Sequence, residues 1–417
     1  MQVQGQRATC KMPMPRPRNR ARANRLSQYN CDLMTEPSQD HSSRALRRVF
    51  GLDALRAAAI LSVVFSHLFV VLYPHLGQGL MFFGNAGFYG VELFFVLSGF
   101  LIGQILLRTG PEIGNPRNLL LFYVRRWFRT LPLFILFLWV NVWIKYWFDN
   151  YTFKDWEILQ HGLFLRTFTT NRMTFFAESW SLAIEEWFYL LFPATLAIGV
   201  FIFRKFDRAF LFSAAAFYLF STVSRVFTAQ IPHYTWDNWQ RWIVIDRFDA
   251  LMIGMFAAWI AGRSPKLWAR HARWLALVGG VMLIVIYFSL WRIHNGRLAF
   301  APDSFFARTF RFNLVSLGCA LLLPAASLWT REHESAGSLF VRKIALWSYA
   351  MYLVHLPIFS VTSHYIFTGW KDSMWQGLVL FGLQLGSTIV VSGLLYRFFE
   401  TRFTRLREPV GKWLLAA

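Results

Sequence analysis

Ten stretches of this chain stay apolar for about 17–25 residues, the length an α-helix needs to cross the ~30 Å hydrocarbon core of a bilayer. They fall near 52–74, 88–108, 131–148, 179–203, 209–229, 246–262, 273–291, 307–329, 344–366 and 376–397. Inside lipid every backbone N–H and C=O must find a partner within the protein, and a continuous apolar run does so as a helix. With 56% hydrophobic and only 16% charged residues, the sequence predicts an all-α integral membrane protein, a polytopic bundle of about ten transmembrane helices. The stretch 156–169 is shorter and is interrupted by His161 and Arg166, which predicts an interfacial or re-entrant segment.

The net charge of +21 raises nucleic acid as a partner, but the distribution argues against it, because nucleic-acid binding needs one continuous basic face. Lys and Arg gather instead on alternate loops, among them Arg108 to Arg129, Arg204 to Arg208, Arg263 to Arg273, Arg331 to Lys343 and Arg397 to Lys412. The opposite loops are sparser: 75–87 holds no Lys or Arg, and 367–375 holds only Lys371. The positive-inside rule then predicts that both termini are cytoplasmic.

Residues 1–49 carry Arg16, Arg18, Arg20, Arg22 and Arg25 with no apolar pattern, which predicts a disordered basic tail. No apolar h-region follows these charges, so the tail does not read as a signal peptide. It can touch anionic membrane lipid or serve only to orient the first helix. Residues 50–407 are expected to form the transmembrane domain and 408–417 a short C-terminal tail. Cys10, Cys31 and Cys319 give neither a disulfide framework nor a metal-binding spacing.

Ionisable residues within an apolar span are costly and point to function. Arg56 and His67 both lie in GLDALRAAAILSVVFSHLFVVLY, Gly51 to Tyr73. Their separation returns the helix to within roughly 20° of the same face and about 16 Å along its axis. With Arg56 at one interface, His67 lies near mid-depth on the same stripe. The second helix, running the other way, places Glu92 roughly 6 Å below the outer surface and Ser98 about a turn and a half deeper. Both can then approach His67, and a carboxylate beside an imidazole orients the ring.

In FYVRRWFRTLP, Arg126 and Arg129 share a helical face and suit bidentate phosphate contacts, although Arg-rich runs beside a membrane also serve simply as topology signals. Ser181 and Glu185 in ESWSLAIEEWFYLLFP are i and i+4. Asp246 and Asp249 open the sixth span. Ser348, Tyr352 and His355 form one polar stripe in WSYAMYLVHLP. Such groups can line a pocket, or hydrogen-bond between helices as packing residues. Loop aromatics, including Tyr234, Trp236, Trp239 and Trp242, suit either a sugar face or the membrane interface.

At these residues the chain resembles the acyltransferase 3 family, the ten-helix membrane O-acyltransferases. Four motifs carry the resemblance, in order: GLDALRAAAILSVVFSH with its Arg-x10-His as Arg56 and His67; GVELFFVLSGFLIG from Gly90; VRRWFRTLP with its Arg-x-x-Arg as Arg126 and Arg129; and SWSLAIEEWFYLLFP with its Ser-x3-Glu as Ser181 and Glu185. SYAMYLVHLP resembles the family's late helix. Where the family often has Glu-x-Pro after its last helix, Glu400 is followed here by Thr401 and Arg402.

The resemblance implies transfer of an acyl group, often acetyl, from cytoplasmic acyl-CoA to a hydroxyl on a cell-envelope or exported glycan, or on a small molecule, at the bacterial inner membrane. Arg126 and Arg129 are expected to hold CoA phosphates, with Arg56 near the entrance. His67 is expected to deprotonate the acceptor, with Glu92 or Glu185 orienting its ring. Ser98, Ser181, Asp249, Tyr352 and His355 are expected to meet substrate. No metal or permanently bound cofactor is expected. An acyl-enzyme on His67 or Ser98 stays open. So does a different class of function, a transporter using intramembrane His, Glu and Asp as a relay, though no repeat of the kind common in transporters is evident.

Overall fold

The computed structural model describes residues 49–416, apart from 77–82, 155, 170–174, 290, 295–296, 301–302, 332–334 and 369–372. All but the last residue of the expected basic tail lies outside the described residues, as does Lys371.

Ten long helices occupy the ten apolar runs: α1 Phe50–Leu68, α2 Ala86–Thr109, α3 Pro116–Phe148, α4 Ser179–Phe203, α5 Phe206–Thr228, α6 Phe248–Arg263, α7 Ala272–Ser289, α8 Phe310–Leu328, α9 Ala336–Val361 and α10 Met374–Leu395. Nine of them, some continued by tight turns, are long and apolar enough by themselves to cross a membrane. The tenth, α6, has 16 residues and is preceded by a 3-10 turn over Val244–Arg247. The protein is therefore a multi-pass, helical membrane protein. Residues 157–162 and 166–169 form two short helices rather than a span. A short antiparallel hairpin pairs Trp291–His294 with Arg297–Phe300, Trp291 opposite Phe300.

The ends follow local chemistry. Asn115 caps α3 by accepting from the Arg117 N–H, with Pro116 in the first turn. Ser335 and Ser373 close reciprocal capping boxes at α9 and α10. α3 starts fifteen residues before its apolar run (116 against 131), so Arg126 and Arg129 stand on a continuous helix. Pro132 sits inside that helix, one turn after them. A final helix, α11, runs over Thr401–Ala416, so helix continues where a short tail is expected from the sequence. It meets α3, where Arg125 pairs with Glu408.

α1, α2, α8 and α9 bury most of their side chains, whereas α3, α5, α7 and α10 present most of theirs outward. Small residues let the central helices close up. Gly99 on α2 faces the Leu251 carbonyl of α6, and Gly254 on α6 faces the Val96 carbonyl, so tightly that a methyl group at either would overlap backbone. With no hydrophobic drive between helices in lipid, such close packing is what holds neighbours together.

Candidate active site

Two cavities and two buried ionic knots hold the polar residues. The first cavity, about 130 Å³, is lined by Arg56 from α1, Ser98 from α2, Arg126 and Arg129 from α3, Ser181, Glu185 and Tyr189 from α4, and Ser348 and Tyr352 from α9. That is room for about four waters. Arg56 and Arg126 are half-buried and Arg129 is exposed. Three guanidinium groups thus face one carboxylate on this wall. Glu185 is held in place: it accepts from Ser98 Oγ at 2.8 Å and from Tyr189 Oη at 2.9 Å. Ser181 and Tyr352 share a hydrogen bond of 2.5 Å, and Tyr352 also donates to the Glu178 carbonyl at 3.2 Å. Tyr123 donates to the Leu190 carbonyl at 2.9 Å and Tyr349 to the Thr130 carbonyl at 2.7 Å. These two bonds fix α3 against α4 and α9, and so set where the arginines stand.

Ser181 and Glu185 lie more than fifty residues along the chain from Arg126 and Arg129. The fold brings them to one cavity because α4 and α9 deliver their polar turns alongside α3.

His67 lies elsewhere, half-buried on the wall of a second cavity of about 150 Å³, with Ser66, Tyr73, Asn85, Trp236 and Arg241. Its partner is His355. Nδ1 of His67 lies 2.9 Å from Nε2 of His355, and the two rings meet edge to edge, within 22° of parallel, with centroids 5.0 Å apart. His355 is fully buried, and its ring lies 5.8 Å from that of Tyr352, which lines the first cavity. A run of three side chains, Tyr352, His355 and His67, therefore separates and connects the two cavities.

Two expectations are corrected here. Neither Glu92 nor Glu185 is hydrogen-bonded to His67. Glu185 is engaged by Ser98 and Tyr189, and Glu92 is ion-paired with Arg247 and accepts from Ser316 at 2.9 Å. Asp249 is likewise not in either cavity, because Arg225 pairs with it at 2.9 Å. Arg225 also donates to the Thr309 carbonyl at 3.0 Å, the Asp246 carbonyl at 2.5 Å and Asn313 at 2.7 Å. Glu92, Arg247, Arg225 and Asp249 have no exposed surface, and a charge buried this way persists only when paired and hydrogen-bonded. They tie α2, α5, α6 and α8 together.

Arg225, Arg241 and Arg247 are absent from the sequence-predicted set. Arg225 lies within the apolar run 209–229, and that alone could have flagged it. Arg241 sits 5.3–5.7 Å from the ring centres of Trp180, Trp236 and Trp242, and Trp236 lines the second cavity beside it. Just outside the spans, burial pushes the Glu178 carboxyl up to about 8. Burial, then Arg166, pushes His161 down to about 4.

The profile of the acyltransferase 3 family, described as an acyltransferase domain, matches residues 49–397. The chain belongs to this family. Among relatives, the Listeria monocytogenes peptidoglycan O-acetyltransferase OatA is 24% identical over 433 residues, covering 88% of this chain and 60% of that protein. A Staphylococcus aureus protein provisionally named as an O-acetyltransferase is 27% identical over 397 residues, 89% of this chain and 59% of its own. A Bacillus subtilis protein, YrhL, provisionally named as a peptidoglycan O-acetyltransferase, is 36% identical over 183 residues, 40% of this chain and 26% of its own. The chain thus spans at most about three-fifths of the length of these relatives. No solved structure matches significantly.

Proposed function

We propose that this chain is a membrane O-acyltransferase that moves an acyl group, acetyl by analogy with its relatives' names, from acyl-CoA to a hydroxyl of a cell-envelope or exported glycan. The observation that carries the reading is the pairing of two different cavities across one run of side chains. One is lined by three guanidinium groups of a kind suited to phosphate; the other holds an imidazole.

In this reading Arg126 and Arg129, with Arg56, hold the phosphates of CoA at the cytoplasmic face, and the thioester reaches toward His67 past Tyr352. The acceptor enters the second cavity, where Trp236 and Arg241 offer an aromatic and a cationic wall to a sugar. His67 takes the hydroxyl proton as the oxygen attacks the thioester carbon, which is general-base catalysis. Glu185 serves the donor side, keeping Ser98 and Tyr189 fixed beside the arginines.

The test is CoA release and acyl transfer by purified protein in lipid nanodiscs, paired with mass spectrometry of envelope glycans from cells with and without the gene. The expected result is CoA release that depends on His67, and loss of an acyl mass from one glycan. Full activity in a well-inserted His67→Ala protein overturns the mechanism. Protein that binds but never consumes acyl-CoA points to the transporter class instead.

A further inference from the structure

The hydrogen bonds around His355 have a forced polarity. Its Nδ1 lies 3.1 Å from the Met351 carbonyl, one turn earlier in α9. A carbonyl oxygen can only accept, so His355 Nδ1 carries a proton. In a neutral imidazole the other nitrogen is then a bare acceptor. That nitrogen, Nε2, is the one 2.9 Å from His67 Nδ1, so His67 Nδ1 must donate. The lone pair of His67 is left on Nε2, in the ring that lines the second cavity.

We infer that His355 is the positioning residue for His67: a neutral imidazole that fixes its tautomer and ring angle, as a carboxylate does in other general-base pairs. The inference rests on the reading of His67 as the base. His355 has no exposed surface and lies on a membrane-spanning helix. A carboxylate there would need a counter-charge of its own, as Glu92 has in Arg247. A neutral acceptor anchored to a backbone carbonyl sets the same geometry without adding a charge.

During transfer the acceptor O–H proton passes to His67 Nε2 while its oxygen bonds to the thioester carbon. The C–S bond then breaks, and the departing thiolate recovers the proton from Nε2. His67 ends neutral in its starting tautomer, with Nδ1–H donating to His355 throughout.

The experiment has a direct arm and a kinetic arm. Solid-state NMR of the full chain in lipid, with ¹⁵N-labelled histidine, reads which ring nitrogen carries the proton; the His67 signals are assigned by their loss in His67→Ala. The expected result is a neutral His67 protonated on Nδ1 and a neutral His355 protonated on Nδ1. A wild-type His67 protonated on Nε2 overturns the inference whatever the activity data show.

In the kinetic arm, His355→Leu removes the acceptor, and His355→Gln restores one through its amide oxygen. We expect His355→Leu to lose about 10²-fold in kcat, the lower end of what a general base supplies, with KM for acyl-CoA unchanged. We expect His355→Gln to recover at least ten-fold of that loss. Equal kcat for the two variants, both correctly inserted, overturns the inference. If His355→Leu does not insert, the tautomer measurement on wild type and on His355→Gln still decides it. A fully active His67→Ala protein sinks the base assignment alone, while the tautomer result stands or falls by its own signals.

Discussion

The arginine-lined cavity and the ionic knots of α2, α5, α6 and α8 are built from the same residue types and behave oppositely. In the knots each guanidinium has its carboxylate, Arg247 with Glu92 and Arg225 with Asp249, and no surface is left over. In the cavity three guanidinium groups share a wall with one carboxylate, and that carboxylate is already engaged by two hydroxyls. An ionisable residue within the span is therefore not a sign of chemistry by itself. What separates the two regions is whether the charged groups are sealed from any space or line a cavity.

The comparison can be broken most severely at the knots. Arg247→Leu leaves Glu92 buried without its counter-charge and should cost about 3–5 kcal/mol, read as loss of thermal stability in detergent. Adding Glu92→Leu should return most of that loss, and a double variant no better than the single one refutes the pairing as the cause. At the cavity, Arg126→Ala with Arg129→Ala should leave the fold intact and weaken the acyl donor by roughly 10- to 100-fold in KM, the size expected from losing charge-assisted hydrogen bonds. Unchanged KM removes these arginines from the donor site.

A smaller effect sharpens the contrast between paired and unpaired carboxyls. Glu178 is held at about 8 against an ordinary 4.5, so the folded protein keeps a proton that the unfolded chain has released. Its contribution to stability is then complete below the ordinary carboxyl range and is lost as pH rises through 8. Glu178→Gln should gain stability on the wild type between pH 5 and pH 8, measured as the difference in Tm across pH. Parallel curves contradict the burial. The least change is expected at the exposed pair of Arg263 and Asp207, each about half exposed. Asp207→Asn should move stability by no more than ~0.5 kcal/mol, and a larger shift shows that surface charge matters more here than the buried knots suggest.

Much of the architecture is legible in the sequence alone. The ten apolar runs became ten helices, and Arg126 and Arg129 stand on one helix, because helical spacing and hydropathy are local properties. The polar stripe Ser348, Tyr352 and His355 is also readable from its period; Ser348 and Tyr352 line the first cavity, whereas His355, expected to meet substrate, lines neither and meets His67 instead. The partner of His67 was not readable. Glu92 and His355 both lie on neighbouring spans at plausible depth, and sequence spacing gives depth but not rotation. α2 turns Glu92 toward Arg247, whereas α9 turns His355 toward α1. Asp249 was misplaced for the same reason, its partner Arg225 lying on a different helix.

The sequence by itself determined that this chain crosses a membrane many times, which residues carry charge into it, and the family to which those motifs belong. Only the tertiary structure decided which charges cancel and which face a cavity, and that a second histidine, not a carboxylate, meets His67. The physical reason is that hydropathy is written along each helix, whereas pairing depends on how helices rotate and cross. Here that is governed by close contacts such as Gly99 against Leu251, made by residues more than 150 positions apart.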